Sequence, residues 1–221
     1  MAASQTEPAP IEPQTVSKKR VLHVGCGAPN PKKLHMIFRA PAWQEVRLDI
    51  DPQVRPDLMS TVVDMKDVAA DQSFDALWSS HNIEHLYDHE VLPAFAEFRR
   101  ILRPDGFALI TCPDLQAVAG LIAEGRLEEG VYEAPSGPVT PLDMIYGFRP
   151  SIAAGNDFMG HRTGFTTERL GRLLVETGFA EVRMIKGESY DLWALALMPE
   201  IDAPRLMTAL ARTGLKFQQG D

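Results

Sequence analysis

The chain has 221 residues, 45% of them apolar, enough to bury one core of moderate size but too few for a second full domain. Lys and Arg total 22 against 30 Asp and Glu, and a formal net charge of -8 would repel a phosphate backbone, so no nucleic-acid partner is expected. Cys26 and Cys112 cannot make a disulfide framework, and no cleavable signal or membrane-spanning apolar run occurs, so the expectation is a cytoplasmic protein away from membranes.

Residues 1–17 carry three prolines and few apolar side chains, the composition of a flexible tail, which leaves 18–221 as a single domain. Residues 21–24 read as a first strand that runs into the glycine turn Gly25-Cys26-Gly27. Asn30 suits a helix N-cap and Pro31 a first helical position, so a helix is expected over 32–39. A second strand spans 45–50, with Asp49 lying 22 residues after Gly27, and a short third spans 61–63 and ends at Asp64. The polar turn 71–73 introduces a fourth strand at 74–79.

Residues 92–102 have helical spacing, with Pro93 tolerable near the start, and the turn 103–106 feeds a fifth strand at 107–112. About 50 residues, 113–165, then separate that strand from the next clear helix. They are expected to hold one helix, 115–124, and otherwise irregular chain forming a lid or substrate-binding insertion. Thr166 caps a helix that reaches Thr177 and stops at Gly178. Strands at 180–185 and 190–198 are joined too tightly for a crossover helix and must form an antiparallel hairpin. The short basic runs 18–20 and 99–100 read as solvated faces. The fold class is therefore α/β: a Rossmann-like, doubly wound, mostly parallel seven-stranded sheet ending in an antiparallel hairpin.

A glycine turn lets backbone approach a ligand closely, and a carboxylate at the end of the second strand can accept two ribose hydroxyls at once. Together they point to an adenosine-containing cofactor. Asp51 competes with Asp49 for that role, and strand alternation favours Asp49. A nicotinamide-dependent oxidoreductase fits less well, because position 30 is Asn where G-x-G-x-x-G needs glycine.

Five segments in order resemble class I S-adenosylmethionine-dependent methyltransferases, over residues 20–198. They are Val21-Leu22-His23-Val24-Gly25-Cys26-Gly27; Leu48-Asp49-Ile50-Asp51-Pro52; the stretch 73–80 with Glu84-His85-Leu86; the stretch 98–107; and Phe165-Thr166-Thr167-Glu168-Arg169-Leu170 with Gly178-Phe179. The resemblance implies S-adenosylmethionine as cofactor, with Gly25 and Gly27 beside its methionine part and Asp49 on the ribose hydroxyls. It places Ile50 against the adenine, Asp64 and Met65 at the adenine edge, and Ser80 and His81 facing the methionine part and the reaction space. Ile50 and Met65 suit a core equally well, and Asp64 a solvent-facing strand end. The chain departs from the family pattern at His23, where an acidic residue is common, and at Pro29, where a third glycine is common.

The implied activity is methyl transfer to an oxygen or nitrogen of a small or medium-sized metabolite. His81 is the first candidate for a general base, ahead of Glu84, His85, Tyr146 and His161. Tyr146, His161 and Arg162 are the candidate acceptor contacts in the insertion, with Arg149 and Asp157 as further polar residues there. The absence of an N/D-P-P-Y motif speaks against amino groups of nucleic acid or protein as acceptors. A catalytically inactive binding protein shares the same fold. His81, Glu84 and His85 also match H-x-x-E-H, the spacing of a zinc hydrolase, which needs a long helix and a third ligand, so no metal is expected.

Overall fold

The computed structural model describes residues 17–134 and 137–217, so the expected tail, apart from residue 17, lies outside the described residues. In chain order the strands are β1 (Lys19–Val24), β2 (Trp43–Asp49), β3 (Leu58–Met59), β4 (Phe74–Ser80), β5 (Leu102–Pro113), β6 (Tyr132–Ala134), β7 (Gly137–Val139), β8 (Glu181–Lys186) and β9 (Asp191–Leu197). The helices are α1 (Val91–Ile101), α2 (Leu115–Ala123), α3 (Pro141–Tyr146), α4 (Arg149–Ala153), α5 (Thr167–Glu176) and α6 (Ala203–Ala211).

Seven strands form one sheet in the order β3-β2-β1-β4-β5-β9-β8. The first five run parallel, and β9 is antiparallel to both of its neighbours. This is the Rossmann-like sheet with a closing hairpin that the sequence leads one to expect. Its strand order reverses between β1 and β4, and ligands of open α/β sheets bind beyond the carboxyl ends at such a reversal.

The central strands are covered on both faces, which is why 21–24 and 74–79 read as near-continuous apolar runs. On one face Leu22, Val24, Leu77, Ala108 and Ile110 meet Phe95 and Phe98 of α1 and Leu170, Leu173 and Leu174 of α5. Burying each such side chain contributes about 1.5–3 kcal/mol. On the other face Val21, Trp78, Phe107, Leu109 and Leu195 pack under Phe38 and under Leu206, Met207 and Leu210 of α6. Thr166 caps α5 by accepting from the Arg169 N–H at 3.3 Å, and Gly178 turns the chain at φ +89°.

Several elements differ from expectation. Residues 32–39 hold a turn and one 3-10 turn, Met36–Phe38, instead of an α-helix. The Lys33 carbonyl accepts from Trp78 Nε1 at 2.9 Å and the Leu34 and Lys32 carbonyls accept from the Arg39 guanidinium, so side chains take acceptors that an α-helix would give to its own N–H groups. The third strand is the pair Leu58–Met59 rather than 61–63: β2 ends beside it, and Thr61 Oγ1 takes the Val63 N–H in a local turn that competes with a ladder. The turn at 103–106 lies inside β5 as a bulge, the register stepping from Phe74↔Leu102 to Ala76↔Phe107.

The 113–165 insertion is more structured than expected, with α2, the β6–β7 hairpin, α3 and α4. Arg99 is exposed, as expected of a solvated face, but Arg100 is half-buried. Arg100 pairs with Glu97 and Asp71 and donates to the Ala69 carbonyl, and Arg99 donates to the Gly178 carbonyl.

Candidate functional site

The carboxyl ends of β1, β2 and β4 open into a cleft of about 490 Å³. Of the candidates named from sequence, Gly25, Gly27, Asp49, Ile50, Ser80 and His81 line it. Gly25 and Gly27 sit at φ +60° and +59°, a left-handed conformation that side chains adopt only with strain. A Cβ on Gly25 would lie 2.7 Å from Asn82 Cγ and closer still to its amide nitrogen, so the loop and the turn after β4 touch where only glycine fits.

Asp49 fastens this loop. Its carboxylate accepts from the Gly27 N–H at 2.7 Å and from the Asp51 N–H at 3.0 Å. The Asp51 carboxylate also lines the cleft but is used locally, accepting from the Gln53 N–H at 2.8 Å, whereas Asp49 is the carboxylate tied to the glycine loop. Arg47, which the sequence did not single out, braces the loop from outside by donating to the Gly27 carbonyl at 2.5 Å and the Arg55 carbonyl at 2.9 Å. Its position one turn of the pleat before Asp49 is the only hint of that role in the sequence.

His23, at the cleft floor, is 3% exposed and places Nδ1 2.6 Å from Glu45 Oε1. A carboxylate therefore reaches this region from the neighbouring strand even though β1 itself supplies none. Burial lowers the His23 pKa, and the opposing pull of Glu45 does not restore it.

Residues 22–110 match a family model described as a methyltransferase domain. No curated protein matches the chain in sequence. Among solved structures, a SAM-dependent methyltransferase from Archaeoglobus fulgidus is 13% identical, with a TM-score of 0.53 over 81% of this chain and 86% of that one. A Methanosarcina mazei SAM-dependent methyltransferase is 17% identical, with a TM-score of 0.53 over 82% of this chain and 93% of that one. A Thermotoga maritima protein described as a possible histamine N-methyltransferase is also 17% identical, with a TM-score of 0.51 over 83% and 84%. Over residues 22–110 the chain thus resembles a methyltransferase domain, and its fold is that of SAM-dependent methyltransferases.

The cleft at the carboxyl ends of the strands fits S-adenosylmethionine. The strained glycine cradle leaves room for close backbone approach, Asp49 offers a carboxylate at the end of β2, and Ile50, 50% exposed, presents an apolar surface beside it. The structure does not bring Asp64 and Met65 there. Met65 is fully buried in the core and Asp64 is exposed, its carboxylate taking the Lys66 N–H. Because β3 ends at Met59, the residues that follow it into the cleft are Ser60, Thr61 and Val62.

A second cavity of about 260 Å³ adjoins this cleft, lined by Glu84, Leu115, Val118, Met144, Tyr146, His161 and Arg162 among others. The three acceptor candidates Tyr146, His161 and Arg162 thus share one cavity, and Arg162 lines the cleft as well. Arg149 instead pairs with Asp143 at 2.7 Å, and Asp157 is exposed and lines neither space. Arg162 lies over the Tyr87 ring at 4.7 Å and donates to the His85 carbonyl.

His81 follows β4 at φ +48°, with half of its side chain exposed and Nδ1 3.3 Å from Glu84 Oε1. Its surroundings disfavour the charged ring, but the Glu84 carboxylate, with Asp191 behind it, outweighs them and raises the pKa. Glu84 is 1% exposed, and burial alone would push its carboxyl up; the imidazoles of His81, His85 and His161 hold it down. Ile83–His85 is a single 3-10 turn, so the long helix that H-x-x-E-H requires for a zinc hydrolase is absent.

Proposed function

We propose that this domain transfers a methyl group from S-adenosylmethionine to an oxygen or nitrogen of a small or medium-sized metabolite. The observation that carries the reading is the adjacency of two spaces: a cofactor-sized cleft at the sheet reversal, and a smaller cavity built by the insertion, with Arg162 in the wall of both. Bound in the cleft, the cofactor supplies an electrophilic methyl group on a sulfonium.

Asp49 would hold the ribose hydroxyls, Gly25 and Gly27 would admit the methionine part, and Ile50 with Val62 would flank the adenine. Residues 113–165 act as the acceptor-binding insertion, since Leu115, Val118, Met144, Tyr146, His161 and Arg162 all line the smaller cavity. The lining combines an apolar floor with one guanidinium, one imidazole and the Glu84 carboxylate, which suits a polar acceptor of mixed character. His81 would receive the acceptor's proton, with Glu84 steadying the imidazolium. Alignment of the acceptor and exclusion of water are the protein's other contributions.

The test is untargeted. Purified protein is incubated with methyl-labelled cofactor and a metabolite extract, and the products are resolved by mass spectrometry. A small molecule that gains the label supports the reading, with His81→Ala slowing its formation. Label appearing only on protein or nucleic acid, or on nothing, contradicts it, and undiminished turnover by His81→Ala removes that residue from the chemistry.

A further inference from the structure

We propose that Glu84, His85 and His161 bind one divalent transition-metal ion in the wall between the cofactor cleft and the smaller cavity. Each residue offers one ligand atom, and these atoms lie within 4.8 Å of one another. The sequence spacing H-x-x-E-H supplies two of the three, and the third comes from the far end of the insertion.

The two imidazoles are already oriented for this task. His85 Nδ1 lies 3.2 Å from the Gly160 carbonyl and His161 Nδ1 lies 2.9 Å from the Met144 carbonyl. A carbonyl only accepts, so each Nδ1 carries the proton and each Nε2 keeps its lone pair. Backbone carbonyls holding the outer nitrogen are the usual support for a metal-ligating histidine.

The carboxylate provides an independent observation. Glu84 is 1% exposed, and neither of its oxygens accepts a hydrogen bond of good geometry, the nearby His81 Nδ1 standing 3.3 Å from Oε1. A buried carboxylate in that state is costly, and an ion between it and the two imidazoles would relieve the cost. The main chain is built to keep the group in place, because the Glu84 carbonyl accepts from the Arg162 N–H at 2.8 Å and the Thr163 N–H at 3.2 Å. Those two bonds bring His161 beside Glu84, with Nε2 4.0 Å from Oε1. Donors around one ion with bonds of 2.0–2.2 Å stand about 3–3.5 Å apart, so ligand atoms that lie within 4.8 Å of one another need to close by no more than about 2 Å.

Two nitrogens and one carboxylate favour zinc, manganese, cobalt or ferrous iron over calcium or magnesium, which prefer all-oxygen shells. Three protein ligands leave coordination positions open, and Glu84 and His161 both face the smaller cavity. An acceptor hydroxyl held there would lose its proton more easily. That role rests on the methyl-transfer reading, whereas metal binding does not.

The experiment titrates Co²⁺ and then Zn²⁺ into tag-free, chelator-treated protein, following visible absorption and heat, without any cofactor present. One equivalent of Co²⁺ with a ligand-field spectrum is expected, displaced by Zn²⁺. Glu84→Gln and His161→Ala should each weaken binding by about tenfold to hundredfold or more, while His89→Ala, on an exposed residue outside the cluster, leaves it unchanged. Zn²⁺ should also raise the melting temperature of the wild type but not of Glu84→Gln, and circular dichroism checks that each variant is folded. No stoichiometric binding, or equal binding by folded Glu84→Gln and His161→Ala, overturns the site. Binding of S-adenosylhomocysteine, measured separately on the same samples, shows whether the cofactor reading stands or falls independently.

Discussion

Gly25→Ala tests the cradle at its tightest point. The substitution forces an L side chain into φ +60°, at about 1–2 kcal/mol, and drives its Cβ into the Asn82 side chain, whose Cγ would be 2.7 Å away. Asn82 must leave its rotamer or shift bodily, adding roughly 0.5–1.5 kcal/mol. The sum, about 1.5–3.5 kcal/mol, corresponds to a fall in melting temperature of roughly 3–14 °C for a chain of this size. Because the displaced amide turns into the cleft, affinity for S-adenosylhomocysteine should fall by at least about tenfold. Asn82→Ala removes Cγ and the amide and leaves only a Cβ contact at 3.0 Å, so the double variant should lose less stability than the two single costs added together, by about 1 kcal/mol. Differential scanning fluorimetry and calorimetric titration on the four proteins measure both effects. Additive costs, or full affinity in Gly25→Ala, would refute the steric reasoning.

Other parts of the structure give separate tests. His35 packs among Trp78, Trp193 and Phe38, and burial, with help from Arg39, pushes its pKa down to about 4. The folded state therefore binds this proton more weakly than the unfolded chain does. Stability should fall as pH drops from 6.5 towards 4 and lose about 3 kcal/mol from this group; urea unfolding of His35→Leu should lack that part of the slope, and matching slopes would exclude it. Leu210→Ala in α6 removes a fully buried side chain and should cost about 2–5 kcal/mol, whereas a loss under about 1 kcal/mol would mean that α6 does not seal this face. Burial raises the Cys26 thiol to about 11 and the Cys112 thiol well above its ordinary value, so neither should react with iodoacetamide at pH 8 until the protein is unfolded. Labelling of native protein within minutes would contradict that.

The parts legible in the sequence are those governed by short-range rules. Apolar runs covered on both faces marked β1 and β4, the tight 186–188 turn forced β8 and β9 into a hairpin, and Thr166 with Gly178 bounded α5. The errors arose where tertiary contacts overrode local preference. Asn30 and Pro31 look like a helix start, but the Trp78 and Arg39 side chains take the carbonyls of residues 32–34 that a helix would use. Thr61-Val62-Val63 looks like a strand, but only Leu58 and Met59 reach the end of β2, and that shift moved the cleft contacts from Asp64 and Met65 to Ser60, Thr61 and Val62. Helix α6 lies beyond the elements expected from sequence, and its amphipathic spacing of Leu206, Met207 and Leu210 seals the second face of the sheet.

Within the site, the glycines and Asp49 were visible because a turn and a strand end constrain residue type. The meeting of Glu84 with His161 was not visible. It depends on backbone bonds between the turn after β4 and the end of the insertion, and nothing in either segment announces the other. The same holds for His23 and Glu45, side chains from neighbouring strands whose pairing follows only from the β1–β2 register.

The most direct test of the central claim is calorimetric titration of the wild type and of Asp49→Ala with S-adenosylmethionine and S-adenosylhomocysteine. The structure predicts one site per chain in the wild type and at least about tenfold weaker binding in Asp49→Ala, from lost hydrogen bonds to a charged acceptor worth about 1.5–3 kcal/mol each. No binding by the wild type, or equal affinity in the two proteins, would contradict it.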